Sequence, residues 1–456
     1  MKETIHIYHT NDIHSYFHHW PRIRCFLETK KRHHQALKET VFLFDIGDFM
    51  DRWHPLTEGT LGKGNVALLN EAGYTAVTIG NNEGITFPHE QLDQLYRGAS
   101  FDVIVANLYD GNGERRAWML PHYIYETMNG NQIGLIGITA YYKEIYEQLG
   151  WQMTKPLDEI ERQLNILKNR QVDCMILLSH LGIDNDKKIA ATFPEIDLII
   201  GGHTHHVLPN GQLVNKTLLA GAGQFGDYIG YIKVTIAEGK SKKEATLIKT
   251  SDLPAYMNET EEAAALYEHG KSLLQPVIAQ IPFPLQADWY HPSLLTQLLC
   301  EAIREWTQAD CAFIHAGLLL TSLKTGEVTA YDLHQMLPHP INPCVMELTG
   351  AELKEVLIET MDSKWPYIRL KGYGFRGKVM GCFVYDRIEI KESGAIIFIN
   401  GVPIEEKRSY TLATTDMFSF GMFFPILHHA ENTRYFLPEF LRDLMAWKLK
   451  NMYEPS

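Results

Sequence analysis

The chain has 456 residues, 45% hydrophobic and 21% charged, enough apolar material for more than one buried core. A formal net charge of −13 argues against a surface made for nucleic-acid polymers, which needs clustered Lys and Arg, but it leaves room for a small phosphorylated partner whose charge bound cations offset. The opening MKETIHIYHTND lacks an apolar signal core, no run approaches the ~20 apolar residues of a membrane span, and six cysteines without a C-x-x-C pair read as reduced, so the expectation is a cytoplasmic protein with no membrane partner.

Short aliphatic runs recur through the first half: Ile5–Tyr8, Val41–Phe44, Ala76–Ile79, Val103–Val105, Gly134–Ile138, Met175–Leu178 and Ile196–Ile200. Their length and lack of polar alternation suit strands covered on both faces. Helical patterns lie between them. Over 158–170, Asp158 is placed to cap a helix whose Ile160, Leu164 and Leu167 share one face. The alternation predicts an α/β domain over 1–256. A charged, Ala-rich stretch followed by Pro276, Pro282 and Pro284 reads as a linker helix and connector over 257–284. Residues 285–456 mix helices (293–307, 350–361 and 437–449) with short strands and read as a second, smaller α/β domain.

The chemistry lies just past the strand ends. Ile5–Tyr8 leads to Asp12 and His14; Val41–Phe44 to Asp48 and Asp51; Ala76–Ile79 to Asn81, Asn82 and Glu83; Met175–Leu178 to His180; Ile196–Ile200 to His203 and His205. Open α/β sheets hold ligands at that edge. Carboxylate, imidazole and amide oxygen suit Mn, Zn or Fe, and a shared carboxylate can hold two such ions ~4 Å apart. In Asp12-x-His14 and His203-x-His205, an extended backbone would turn both side chains to one side. Gly47, Gly80 and Gly202 are expected to let the backbone turn beside the ligands. Asp51 reads as a local acceptor in its turn, and the pairs His18-His19, His33-His34 and His428-His429 as solvated surface.

This pattern resembles the calcineurin-like metallophosphoesterases, and more specifically the 5′-nucleotidase and UDP-sugar hydrolase family. In the second half the resemblance rests on Thr329-Ala330-Tyr331-Asp332-Leu333, Leu337-Pro338 and the run Val345 to Lys354. It implies a four-layer αββα catalytic domain followed by a smaller α/β substrate-binding domain of the 5′-nucleotidase C-terminal type. It also implies two divalent ions, one held by Asp12, His14, Asp48 and His205, the other by Asp48, Asn81, His180 and His203, with Asp48 bridging. Asp48, His203 and Asn82 then stand at the reaction centre. The implied activity is hydrolysis of a phosphate ester or anhydride of a small, nucleotide-like molecule, by a monomer or homodimer.

Two departures from the family pattern matter. The family reads Gly-Asn-His-Glu with an Asp two residues on; here those His and Asp positions hold Asn82 and Ile85. Asn82 can donate a hydrogen bond to a phosphoryl oxygen but cannot serve as a general acid, a role worth ~10²–10⁴ in rate. A good leaving group or another acid is then required. The family's Asn-Gly-Gly-Gly-x-Arg phosphate loop aligns with His315-Ala316-Gly317-Leu318-Leu319-Leu320, its aromatic after Leu-Pro with His339, and its late aromatic loop with a segment containing Phe418. His315, His339 and Phe418 are therefore candidate substrate contacts. So are Arg369, Tyr373, Phe375 and Arg376, a basic–aromatic cluster offering bidentate phosphate recognition and stacking. The alternatives are a cyclic-nucleotide phosphodiesterase, a sugar-phosphate phosphatase or, from another class, a nucleotide-binding regulatory protein that keeps its metals without turnover.

Overall fold

A computed structural model describes residues 2–237, 240–372, 374–430 and 432–453. The chain divides into two units, Met1–Gly270 and Lys271–Ser456.

Two large sheets form the centre of the first unit. One runs Lys240–Lys249, Tyr228–Ala237, Glu3–Thr10, Thr40–Asp45, Ala76–Val77, Asp102–Ile104 and Met119–Leu120 across its width. The other runs Gln212–Val214, Thr217–Ala220, Leu198–Gly201, Cys174–Ser179, Gln132–Ile138 and His122–Glu126. The strands that lead into the ligand-type residues pair in parallel within each sheet. Their carboxyl ends therefore emerge at one edge of each sheet.

The lack of alternation has a direct cause. In Cys174–Ser179, Cys174, Ile176 and Leu178 enter the core between the sheets. Met175 and Leu177 face the other way, onto Ile160, Leu164 and Leu167 of the helix Pro156–Leu167. On the first sheet, Ile5 and Ile7 face inward while Tyr8 meets Phe26 of the helix Trp20–Ala36. The layers run helix, sheet, sheet, helix.

Local details differ from the sequence expectations. The helix Pro156–Leu167 starts after Lys155 with proline in its first turn, which places Asp158 inside the helix rather than at its cap. His34 is not solvated: its ring stacks 3.8 Å from that of His6, its Nδ1 lies 2.9 Å from Glu39 Oε2, and its Nε2 lies 3.0 Å from the Tyr8 hydroxyl. The stretch 257–284 divides. The helix Glu259–Leu273 is tied by its first turn to Arg22 and Arg24 of the first unit, whereas Val277–Ile281 pairs antiparallel with Gly326–Thr329 of the second.

The second unit is a five-stranded sheet in the order Phe383–Asp386, Cys311–His315, Ser409–Thr415, Pro343–Thr349 and Arg434–Tyr435. Its longest helices are Leu294–Thr307, capped by the Ser293 hydroxyl, Gly350–Glu359, capped by the Thr349 hydroxyl, and Leu441–Met452. The last begins later than the apolar spacing suggests: Phe440, in extended backbone, is its N-cap, and its N–H donates to the Asp443 carboxylate. Among the described residues no helix is long and apolar enough to cross a membrane.

One buried acid under the second sheet gives the first unit a pH signature. Asp186 is 2% exposed, and Ser179 Oγ donates to its Oδ1 at 2.5 Å. Burial pushes its carboxyl from 3.8 up to about 7, against the pull of that bond. The folded state therefore holds the proton more tightly than the unfolded chain. The stabilisation is present below about pH 4 and lost as pH rises to about 7. Asp186→Asn, which cannot ionise, should gain melting temperature relative to the parent between pH 5 and pH 7.5. Parallel melting curves across that range would remove Asp186 as the cause.

Candidate metal centre

The loop after the first strand lies along the loop after the second. Asp12 N–H donates to Gly47 O at 3.0 Å, His14 N–H to Asp48 O at 2.8 Å, and Ser15 N–H to Phe49 O at 3.0 Å. The ligand-type residues are not extended. Asp12, His14, Asp48, His203 and His205 have φ of 52°, 50°, 52°, 73° and 55°. Left-handed backbone at a non-glycine residue costs of order 1 kcal/mol or more, and Asp and His are among the residue types that tolerate it best. The side chains are thus aimed by strained turns held by the cross-loop hydrogen bonds, not by the two-residue period of a strand. All three glycines allow close approach, and Gly47 also needs a left-handed backbone. Gly47 takes φ +86°, while a Cβ on Gly80 would fall 2.1 Å from Asp48 Oδ1 and one on Gly202 would fall 2.9 Å from His180 Nδ1. Together they let the site close up.

Two donor groups result. Asp12, His14 and His205 form one: His205 Nε2 is 3.2 Å from His14 Nε2 and 3.4 Å from Asp12 Oδ1. Asp48, His180 and His203 form the other, with His180 Nε2 3.3 Å from Asp48 Oδ2 and Asn81 Oδ1 2.9 Å from His203 Nδ1. Both carboxylates reach both groups: Asp48 Oδ2 is 3.8 Å from His14 Nε2, and Asp12 Oδ1 is 3.9 Å from His180 Nε2. Ligands ~2.0–2.2 Å from one ion stand roughly 3–3.5 Å apart, so these separations suit a divalent cation. His180 Nε2 adds an independent sign. It is buried and makes no hydrogen bond, while the Nδ1 side of the ring lies 2.7 Å from Ile46 O. That carbonyl holds a proton on Nδ1 and turns Nε2, the atom that would bind a cation, toward Asp48 and Asp12.

The electrostatics agree. Burial works to raise Asp48, but the neighbouring His180 and His14 and the Asn82 N–H hold it well below the usual carboxylate range. Burial works to lower His180, and Asp48 and Asp12 overcome it, raising the imidazole to about 10. His203, for which burial dominates, is lowered to about 4 and is neutral. Two buried anions facing imidazoles make a place for positive charge.

The sequence places Asp51 and Glu83 beside the ligands but assigns no supporting role to Glu83, Asn11 or Tyr142. Asn11 Nδ2 donates to Asp12 Oδ2 at 2.8 Å and to Gly223 O at 2.7 Å. The Glu83 carboxylate accepts from the N–H groups of Asp48 (2.9 Å), Met50 (2.9 Å) and Gly80 (2.8 Å), pinning the Asp48 loop. Asp51 does accept within its own turn, from Trp53 N–H at 3.2 Å, but its other oxygen lies 3.4 Å from His14 Nδ1 and orients that ring. The Tyr142 hydroxyl is 3.4 Å from His203 Nε2. Asn82 also differs from expectation. Its N–H donates to Asp48 Oδ1 at 2.8 Å, and its side-chain nitrogen lies 2.8 Å from His14 Nδ1 and 3.5 Å from Asp51 Oδ2. The amide is engaged with the cage.

The candidate substrate contacts of the second unit are mostly core. His315, His339 and Phe418 are at most 1% exposed. His315 Nδ1 bonds Met380 O at 2.7 Å, and His339 donates from Nε2 to Leu318 O at 2.7 Å while its Nδ1 accepts from Arg376 N–H at 2.9 Å. Phe375 stacks on His339 at 5.0 Å. Burial lowers His339 to about 3 and His315 to about 4, so both are neutral packing residues. The cause is local: where the family pattern has its last glycine and the residue after it, Leu318 and Leu319 are fully buried and draw the segment into the core. Arg369 is exposed, Arg376 is half-buried, and Tyr373 lies outside the described residues.

Residues 5–207 match the calcineurin-like phosphoesterase family, and residues 277–425 match the 5′-nucleotidase C-terminal domain. The chain is 41% identical to the uncharacterized metallophosphoesterase YunD of Bacillus subtilis, over 98% of this chain and 100% of that one. It is 23% identical to the snake venom 5′-nucleotidase of Gloydius brevicauda, over 89% of this chain and 79% of that one. In fold it is similar to a putative 5′-nucleotidase from Staphylococcus aureus (TM-score 0.71, 17% identity, 98% and 97% of the two chains covered). It is also similar to the NAD nucleotidase of Haemophilus influenzae (TM-score 0.69, 15% identity, 99% and 97% covered).

Proposed function

The chain belongs to the calcineurin-like metallophosphoesterases that carry a 5′-nucleotidase C-terminal domain, metal-dependent hydrolases of phosphoric esters, and on that premise we propose which residues hold its ions and what it cleaves. Two divalent cations, from among Mn, Zn and Fe, are held by Asp12, His14, Asp48, Asn81, His180, His203 and His205. The substrate is a phosphate ester or anhydride of a small nucleotide-like molecule. Nucleotidases among the relatives support the substrate class. The observation that carries the ligand assignment is the buried, unbonded His180 Nε2 facing two carboxylates. Six free thiols suit a reducing, cytoplasmic setting.

When bound, the paired ions supply an activated water and offset charge on the phosphoryl oxygens during in-line displacement. The protein does the rest. Asp12 and Asp48 bring the negative charge that retains the ions, Ile46 O and Asp51 fix the imidazoles of His180 and His14, and Glu83 keeps the Asp48 turn from relaxing. Asn82 positions His14. No ionisable acid stands at position 82, which favours a leaving group that departs as a stable anion.

The test uses chelator-stripped protein, reloaded with Mn²⁺ or Zn²⁺ and assayed on p-nitrophenyl phosphate and bis-p-nitrophenyl phosphate, whose leaving groups need no acid. Activity should vanish on stripping and return on reloading, with elemental analysis approaching two ions per chain. A folded sample that binds no ions, or that binds them and cleaves neither ester, would overturn the reading in favour of a non-catalytic binding protein.

A further inference from the structure

Building on that reading, we propose that the substrate is a phosphoanhydride whose departing half is itself a phosphate, and that this half is held in a cavity of the first unit beside His203, by Lys155 and Lys188.

The cavity encloses about 510 Å³ and is lined by Tyr141, Tyr142, Leu157, Lys155, Lys188 and His203, among others. That volume is in the range of sites for small organic ligands. It adjoins the cage directly, since His203 belongs to both and the Tyr142 hydroxyl reaches His203 Nε2 at 3.4 Å. Its wall combines tyrosine rings and aliphatic side chains with two ammonium groups. Lys155 and Lys188 are exposed, and among the described residues neither has a carboxylate within ion-pair distance. Asp158, the acid that shares the lining, pairs with neither lysine. The rim thus carries one more positive than negative charge, next to a centre that handles phosphoryl groups. Lysine holds phosphate as a point charge and needs no fixed geometry.

Two further observations lead to the same substrate. Asn82 cannot deliver a proton, so an alkoxide leaving group would be disfavoured, whereas a phosphate departs as an anion stable at neutral pH. His315, His339 and Phe418 are buried in the second unit, so these three side chains are not available to receive the rest of the substrate. In the reaction, a water oxygen bonds to the terminal phosphorus and the bond from that phosphorus to the bridging oxygen breaks. The electron pair stays on the departing phosphate monoester, and the water's protons pass to the products and solvent. No oxidant or other co-reactant is needed.

The experiment compares ADP, AMP and p-nitrophenyl phosphate on the Mn²⁺-loaded protein, and measures binding of methylene-bridged ADP, which cannot be cleaved at the bridge, by calorimetry. ADP should be the better substrate of the two nucleotides. Lys155→Ala combined with Lys188→Ala should lower the ratio of kcat/KM for ADP to that for p-nitrophenyl phosphate at least tenfold, mainly through KM for ADP. It should weaken the bridged analogue at least fivefold, and Lys188→Arg in the Lys155 background should keep most of both. A preference for AMP, an equal fall with both substrates, or unchanged binding of the analogue would overturn the inference and leave the hydrolase reading standing. Loss of analogue binding in the double variant of a protein that cleaves no phosphoester would instead uphold the pocket and sink that reading.

Discussion

Asp48→Asn is expected to lower kcat/KM for p-nitrophenyl phosphate by at least ~10³ and to cut the bound metal from near two ions per chain towards one. The substitution keeps the shape of the side chain and leaves an oxygen to accept the Asn82 N–H, which donates to Asp48 Oδ1 at 2.8 Å. What disappears is the charge on Oδ2, which stands 3.3 Å from His180 Nε2 and 3.8 Å from His14 Nε2, between the two donor groups. A factor of ~10³ corresponds to roughly 4 kcal/mol of barrier, within the several kcal/mol that metal-ion charge stabilisation supplies. The fold should survive, because the Asp48 turn is pinned through its backbone N–H by Glu83 and not by its own carboxylate. A melting temperature near that of the parent, with activity and metal both reduced, is the expected signature. A variant that keeps both ions and full turnover would show that Asp12, which reaches both groups too, carries the bridging role alone.

The physical reasons that made parts of this legible in the sequence also explain what was hidden. Strands buried on both faces have no choice but to be aliphatic, so Cys174–Ser179 and Leu198–Gly201 announce themselves. The edge strand Lys240–Lys249 is rich in lysine, as an edge open to solvent should be, and gives no such signal. Ligand-type residues stood out because few structural roles call for Asp, Asn and His after five of the parallel strands. Their supports did not. Asn11, Asp51 and Glu83 are residue types that turns and caps use everywhere, and Tyr142 lies 61 residues from the histidine it meets. The left-handed turns at Asp12, His14, Asp48, His203 and His205 have no spacing rule to reveal them. In the second unit the error lay in reading positions by analogy. Leu318, where a glycine would open a loop, and Leu319 after it already signalled burial, and burial is what the structure shows.

Asn82→His should shift substrate preference in the opposite direction to the lysine substitutions. We expect β-glycerophosphate, whose alkoxide leaving group needs a proton, to gain roughly 10–100-fold in kcat relative to p-nitrophenyl phosphate, at or below the lower end of the ~10²–10⁴ range for general acid catalysis. An imidazole at this position would not lack a partner although Ile85 replaces the usual acid. Asp51 Oδ2 already lies 3.5 Å from the Asn82 side-chain nitrogen and can hold the ring and support its charged form. The gain is limited by two costs. Position 82 is 6% exposed, so a larger and charged side chain must be desolvated, and His14 loses the amide 2.8 Å from its Nδ1. A proton donor also leaves a mark that a positioning residue does not: the alkyl ester's rate should acquire a descending limb above the imidazole range, absent for p-nitrophenyl phosphate. Equal changes with both esters and no new limb would mean that position 82 serves only to set His14. The leaving-group restriction would then have to come from the cavity beside His203 and not from the missing acid.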